Sequence, residues 1–151
     1  MKLETKAKTL SKIKVKHAKI PKLIFFNVEK FKKNKKECLT KIKKKFNSSV
    51  IIRSSTIFED NKNHSFAGYF ESIPNVDPKN SEDLLKKIKK VISSYKKFKN
   101  PKNEILIQEM INKTEMSGVI TTCALKNKAP YYIINYHKGS DTSAITSGKE
   151  N

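Results

Sequence analysis

The sequence predicts an α+β fold, and three observations predict it. Short runs of β-branched and aromatic residues are bounded by turn formers, other stretches carry apolar residues at helical spacing among lysines, and no internal repeat imposes a solenoid. At 151 residues the chain is long enough for one domain, or two small lobes, with a real core.

The elements follow in order. Residues 5–10 open a basic segment in which Leu10 and Ile13 lie one helical turn apart, so a brief helix is expected. Residues 20–28 are dense in Ile, Phe and Val and read as a strand, with Pro21 at its start where a missing N–H is tolerated. Cys38, Leu39, Ile42 and Phe46 recur at helical spacing among lysines, giving an amphipathic helix with a solvated basic face. Residues 49–55 form an apolar run that ends abruptly in Arg53, Ser54 and Ser55, the pattern of a buried strand delivering polar groups to a site at its end. Residues 61–64 are a polar turn, and 65–76 resume in extended style around Gly68.

From Asn80 the period changes. Leu84, Leu85, Ile88, Val91, Ile92 and Tyr95 share one helical face, started by a capping-type Asn80 with Asp83 three residues later. Residues 100–103 end that helix. Ile105, Leu106 and Ile107 then make a short strand running into Gln108, Glu109, Met110 and Ile111. Residues 118–122 and 131–136 read as two strands joined by the turn-prone 126–130, and the polar tail from His137 reads as loop.

Composition excludes several classes. The net charge of +19 invites a nucleic-acid reading, but Arg53 is the only arginine among 33 basic residues, whereas base and phosphate readers favour the bidentate guanidinium. A lysine and asparagine excess with one arginine fits the codon bias of an AT-rich genome. Phe25, Phe26 and Tyr131, the aromatics that would stack bases, fall inside strand-like apolar runs and read as core. Any nucleic-acid binding is therefore expected to be nonspecific. Two cysteines make no disulfide framework and match no zinc spacing, so a reduced cytoplasmic setting is the simplest expectation. The longest apolar run is far too short to span a bilayer, and the basic N-terminus has no apolar signal core. His17, His64 and His137 read as ordinary surface or turn histidines.

The most specific constellation is Arg53-Ser54-Ser55, then Glu59-Asp60, then Ser65-Phe66-Ala67-Gly68. It brings together a guanidinium able to bind phosphate oxygens bidentately, hydroxyl donors, and a glycine that lets backbone N–H groups approach a polyphosphate. The competing reading has Arg53 paired with a carboxylate such as Glu59 and Gly68 merely forming a bulge. Glu59 and Asp60 read as solvated turn carboxylates, with a place beside a metal as the alternative.

Residues 51–60 together with 65–76 resemble the long signature of the nucleotide-binding domain of phosphoenolpyruvate synthase and pyruvate phosphate dikinase. The resemblance implies an ATP-grasp-like domain that binds ATP and works with Mg²⁺. It implies a phosphate-binding lysine at Lys6, a phosphate-binding and catalytic arginine at Arg53, and further ATP contacts at Gly68 and Ser72. It also implies a hinge strand in which Gln108, Glu109, Met110 and Ile111 meet the adenine edge.

On this reading residues 1–104 are the first lobe, and residues 105–151 are the hinge strand and the beginning of the second. The family's metal-binding Glu and Gln, and its phosphohistidine domain, belong to segments beyond these residues. The expectation is thus an incomplete phosphotransferase: a piece of a longer or split enzyme, or a nonfunctional remnant. Residues 129–136 with 139–142 and 146–148 resemble the branch that includes glutamine kinases.

Overall fold

The computed structural model describes residues 4–57, 60–61, 64–65, 70–95, 98, 100–124 and 127–139. It resolves into two compact units, 1–110 and 111–151. In the first, helix α1 (Lys6–Lys12) precedes strand β1 (Leu23–Asn27), helices α2 (Val28–Lys33) and α3 (Lys35–Lys45), and strand β2 (Val50–Ser55). Two-residue strands β3 (Asp60–Asn61) and β4 (His64–Ser65) pair with each other and are followed by β5 (Ser72–Val76), helix α4 (Ser81–Ser94) and β6 (Glu104–Glu109). β1, β6, β2 and β5, in that spatial order, form one wholly antiparallel sheet.

One face of this sheet carries the core. Ile52, Ile105 and Ile107 are fully buried and cluster with Phe31 of α2, Ile42 of α3, and Leu84, Ile88 and Val91 of α4. Each such side chain contributes roughly 1.5–3 kcal/mol on leaving water. The alternation along β2 and β6 therefore assigns Ile51, Arg53 and Ser55, with Glu104, Leu106 and Gln108 directly opposite them, to the other face.

Strand β5 needs a correction of phase to fit this scheme. Val76 and Ile73 both pack on the core, although three residues apart in a regular strand they would face opposite ways. A bulge supplies the missing step: Val50 pairs with Val76 and Ile52 with Ile73, so Pro74 and Asn75 together oppose Ile51. Asn75 takes φ 56°, a left-handed conformation that Asn tolerates. Pro74, lacking an N–H, is accepted because β5 is an edge strand.

The expected strands and helices appear with shifted ends. Asn80 caps α4 by accepting from Asp83 N–H at 3.1 Å. Residues 28–33 differ from expectation: Val28 does not end β1 but begins α2, because the Asn27 side chain accepts from the N–H groups of Glu29 and Lys30. The compact units divide after Met110, and β6 is paired on both sides within the first sheet.

In the second unit β7 (Met116–Thr121) and β8 (Ile133–Lys138) form an antiparallel hairpin. β8 starts two residues later than the sequence suggested and runs through His137, which was read as loop. Tyr131 and Tyr132 precede it and are 69% and 76% exposed. Phe26 is core as expected, whereas Phe25 is half-buried opposite Leu106 on the sheet face away from the core cluster and Tyr131 is exposed, so the core reading holds for Phe26 alone. No helix among the described residues is long and apolar enough to cross a membrane.

Candidate functional site

The sheet face opposite the core collects three of the predicted site residues. Arg53 sits in the middle of β2, flanked across the ladder by Ser72 of β5 and Leu106 of β6. Ser72 is exposed and Arg53 half-buried. Gln108, almost fully buried, is one pair along on the same face, opposite Ile51 and Leu23. The structure thus brings Arg53, Ser72 and Gln108 onto one surface, although they lie far apart in sequence.

The Arg53 guanidinium has an unusual position. Its Nε is buried and, among the described residues, has no hydrogen-bond partner. Leaving such a donor unsatisfied costs about 1–3 kcal/mol, more for a charged group. Glu59, the carboxylate considered as its structural partner, lies outside the described residues, as does Gly68. Asp60 is in β3.

The hydroxyls beside Arg53 do something other than face a ligand. Ser55 Oγ accepts from Ala7 N–H at 2.9 Å, pinning the first turn of α1 onto the sheet. Ser55 N–H donates to Tyr95 Oη at 2.7 Å, and Tyr95 Oη–H donates to the Glu104 carbonyl at 2.6 Å. Thr5, the N-cap of α1, donates through its hydroxyl to the Glu104 carboxylate, and Lys8 Nζ lies 3.6 Å from the same carboxylate. Next to this cluster the Thr56 hydroxyl donates to Asn103 Oδ1 at 2.8 Å.

Thr5, Ser55, Thr56, Asn103 and Glu104 are all nearly or fully buried, so this is a satisfied polar network inside the fold. Sequence reasoning missed it, because its partners are separated by 99 and 48 residues. The one legible sign was Asn103-Glu104, two polar residues set directly before an apolar strand.

Lys6 is the first residue of α1 and half-buried, adjacent in the chain to the Ala7 anchor. The predicted adenine segment is partly committed to the sheet. Glu109 N–H donates to the Lys22 carbonyl and Met110 N–H to the Ser49 carbonyl, each at 2.9 Å. The Glu109 carboxylate accepts from the Ser48 hydroxyl at 3.1 Å. The backbone donors of Glu109 and Met110 are thereby taken. Ile111 opens the second unit and is 59% exposed. A cavity of about 440 Å³ between α2 and α4, lined by Val28, Ile92, Tyr95 and Pro101, contains none of the predicted site residues.

Two comparisons bear on this arrangement. A curated relative, described as an uncharacterized phosphotransferase, YvkC of Bacillus subtilis (strain 168), is 40% identical over 85 residues. The aligned part is 48% of this chain and 10% of that relative, so the chain spans about a tenth of the relative's length. No solved structure matches. The family described as pyruvate phosphate dikinase, AMP/ATP-binding domain, matches residues 2–148, nearly the whole chain. The α+β architecture, with its antiparallel sheet backed by helices, is that of an ATP-grasp-like nucleotide-binding domain, and the chain belongs to the pyruvate phosphate dikinase AMP/ATP-binding family.

Proposed function

We propose that this chain supplies the ATP-binding part of a phosphotransferase of the phosphoenolpyruvate synthase and pyruvate phosphate dikinase type, with the phosphates held over the Arg53 face of the first sheet. The observation that carries the reading is the buried Nε of Arg53, without a hydrogen-bond partner among the described residues and in register with Ser72. An anion placed there supplies a charge-assisted hydrogen bond that none of the described residues makes. Ser72 adds a hydroxyl on the same row and Lys6 a second cation from α1, and the resemblance adds Gly68, which lies outside the described residues, as a further phosphate contact. Gln108, the Glu109 and Met110 carbonyls, and Ile111 form the adenine-facing segment.

Phosphoryl transfer asks for little covalent chemistry from the protein, so positioning and charge stabilisation are what these residues contribute. Magnesium, when bound, neutralises part of the polyphosphate charge. Among the described residues no group of three or more His, Cys, Asp and Glu comes together to hold a metal, so no residue of this chain is assigned to it. The cytoplasm is the setting this reading takes, and the further domains of a longer or split enzyme are the partners it calls for.

Calorimetric titration with ATP and with adenosine, each with Mg²⁺ present, tests the proposal. ATP binding that exceeds adenosine binding supports it, and equal affinity for both removes the phosphate site. The finer acceptor reading, a glutamine kinase-like branch, rests on the resemblance of residues 129–148. Glutamine titrated into the ATP-loaded protein should then release heat of binding, and a silent titration leaves the nucleotide reading without that acceptor.

A further inference from the structure

We propose that Glu104 and Thr5, with Ser55, are positioning residues that hold Lys6 in place for the nucleotide phosphates. This rests on the nucleotide reading above. The observations are geometric. α1 is only seven residues long, too short to be stable alone in water. Its sole buried residue is Ala7, so little apolar burial fixes it. Polar contacts hold it instead: the Thr5 hydroxyl and the Lys8 ammonium on the Glu104 carboxylate, and Ala7 N–H on Ser55 Oγ at 2.9 Å.

Both anchors belong to the sheet face of Arg53. Ser55 lies two residues beyond Arg53 on β2, and Glu104 pairs with Ser55 across the ladder and lies two residues before Leu106, the cross-strand neighbour of Arg53. Tyr95 locks the two together by accepting from Ser55 N–H and donating to the Glu104 carbonyl. Lys6 sits between Thr5 and Ala7, so both of its chain neighbours are tied to this rigid row. A buried carboxylate is a costly group to maintain, and here it receives the Thr5 hydroxyl and the Lys8 cation that make it tolerable. A short helix with almost no core contact is thereby fixed in register with Arg53.

The test measures ATP and adenosine affinities of the full chain by calorimetry for Glu104→Gln and Thr5→Val, alone and combined with Lys6→Ala. Thr5→Ser, which keeps the hydroxyl, serves as the rescue. Lys6→Ala is expected to lower ATP affinity about tenfold, the scale of one charge-assisted hydrogen bond, with adenosine unchanged. Glu104→Gln and Thr5→Val should each lower the ATP-to-adenosine affinity ratio about fivefold, and by less than about twofold once Lys6 is already Ala. Thr5→Ser should keep the parental ratio.

A purely structural role would lower the unfolding midpoint while leaving that ratio alone, and such a result overturns the inference. An equal loss in both Lys6 backgrounds also overturns it. If Lys6→Ala leaves the ratio unchanged while Arg53→Lys shifts it, the positioning inference fails and the nucleotide reading stands. If neither substitution shifts the ratio, both fail. Should Glu104→Gln not fold, the Thr5→Val and Thr5→Ser pair decides the question alone.

Discussion

The four-stranded sheet of the first unit buries Ile52, Ile105 and Ile107 completely, whereas the β7–β8 hairpin of the second leaves Ile120, Ile134 and Tyr136 at 64%, 61% and 63% exposure. Both are antiparallel and both are rich in β-branched residues, so strand propensity does not separate them. What separates them is a covering layer: helices α2, α3 and α4 supply Phe31, Ile42 and Leu84 to the first sheet. Among the described residues of the second unit there is no helix, and a two-stranded ribbon alone is at best marginally stable. Identical strand chemistry therefore yields a core in one place and an exposed apolar face in the other.

Five substitutions sharpen or break this comparison. Ile107→Ala should destabilise the first unit by about 2–5 kcal/mol in urea unfolding, because a fully buried side chain leaves a cavity. Ile134→Ala in the hairpin should stay within about 0.5 kcal/mol. Equal costs would show that the hairpin face is covered after all.

Tyr95→Phe should cost about 1–3 kcal/mol, since it leaves the Ser55 N–H and the Glu104 carbonyl without their shared partner. A Tyr95→Phe protein with unchanged unfolding free energy would remove the buried network from the account of stability.

Gly118→Ala acts on the other side of the comparison. A methyl group there would meet the Asn135 carbonyl at 2.7 Å, so the strands must part. Hydrogen exchange at Val119 and Ile120 should accelerate, while the urea midpoint of the first unit stays unchanged.

The smallest effect expected is a pH dependence from the exposed Glu37–Lys41 pair of α3. The hydrogen bond from Lys41 holds the Glu37 carboxyl below its ordinary range. A carboxyl lowered in the folded state contributes stability that is complete above its ordinary pKa and is lost as pH falls through the lowered folded value. Glu37→Gln should therefore flatten the acid limb of stability slightly without moving stability differences above that range. An unchanged acid limb would contradict the assignment.

The elements that were legible in the sequence are those governed by local pattern. The β2 run ending at Arg53, the α4 face with its Asn80 cap, and the apolar β6 strand could each be read from spacing alone, as could the α+β class. α2 was hidden because Val28 continues an apolar run and only the side chain of Asn27 turns the backbone into a helix. The bulge at Pro74 and Asn75 was hidden because it depends on which residues of β2 stand opposite.

The candidate site divides in the same way. Arg53 stands out by its uniqueness and position, and Ser72 lies within the signature, but their direct pairing is a matter of register. The Ser55 hydroxyl reads from the sequence as a ligand donor, yet it is spent on Ala7, a contact 48 residues away; no local pattern discloses this contact or the bond from Thr56 to Asn103, 47 residues on.

The most direct test of the nucleotide reading is the affinity of Arg53→Lys for ATP relative to adenosine, measured by calorimetry alongside urea unfolding of the same protein. Lysine keeps the charge but loses the planar fork and the Nε–H donor. The account predicts ATP binding weaker by about 1–3 kcal/mol, adenosine binding unchanged, and a stable fold. A protein that loses stability while its ATP and adenosine affinities keep their original ratio would contradict it, and would make Arg53 a structural residue.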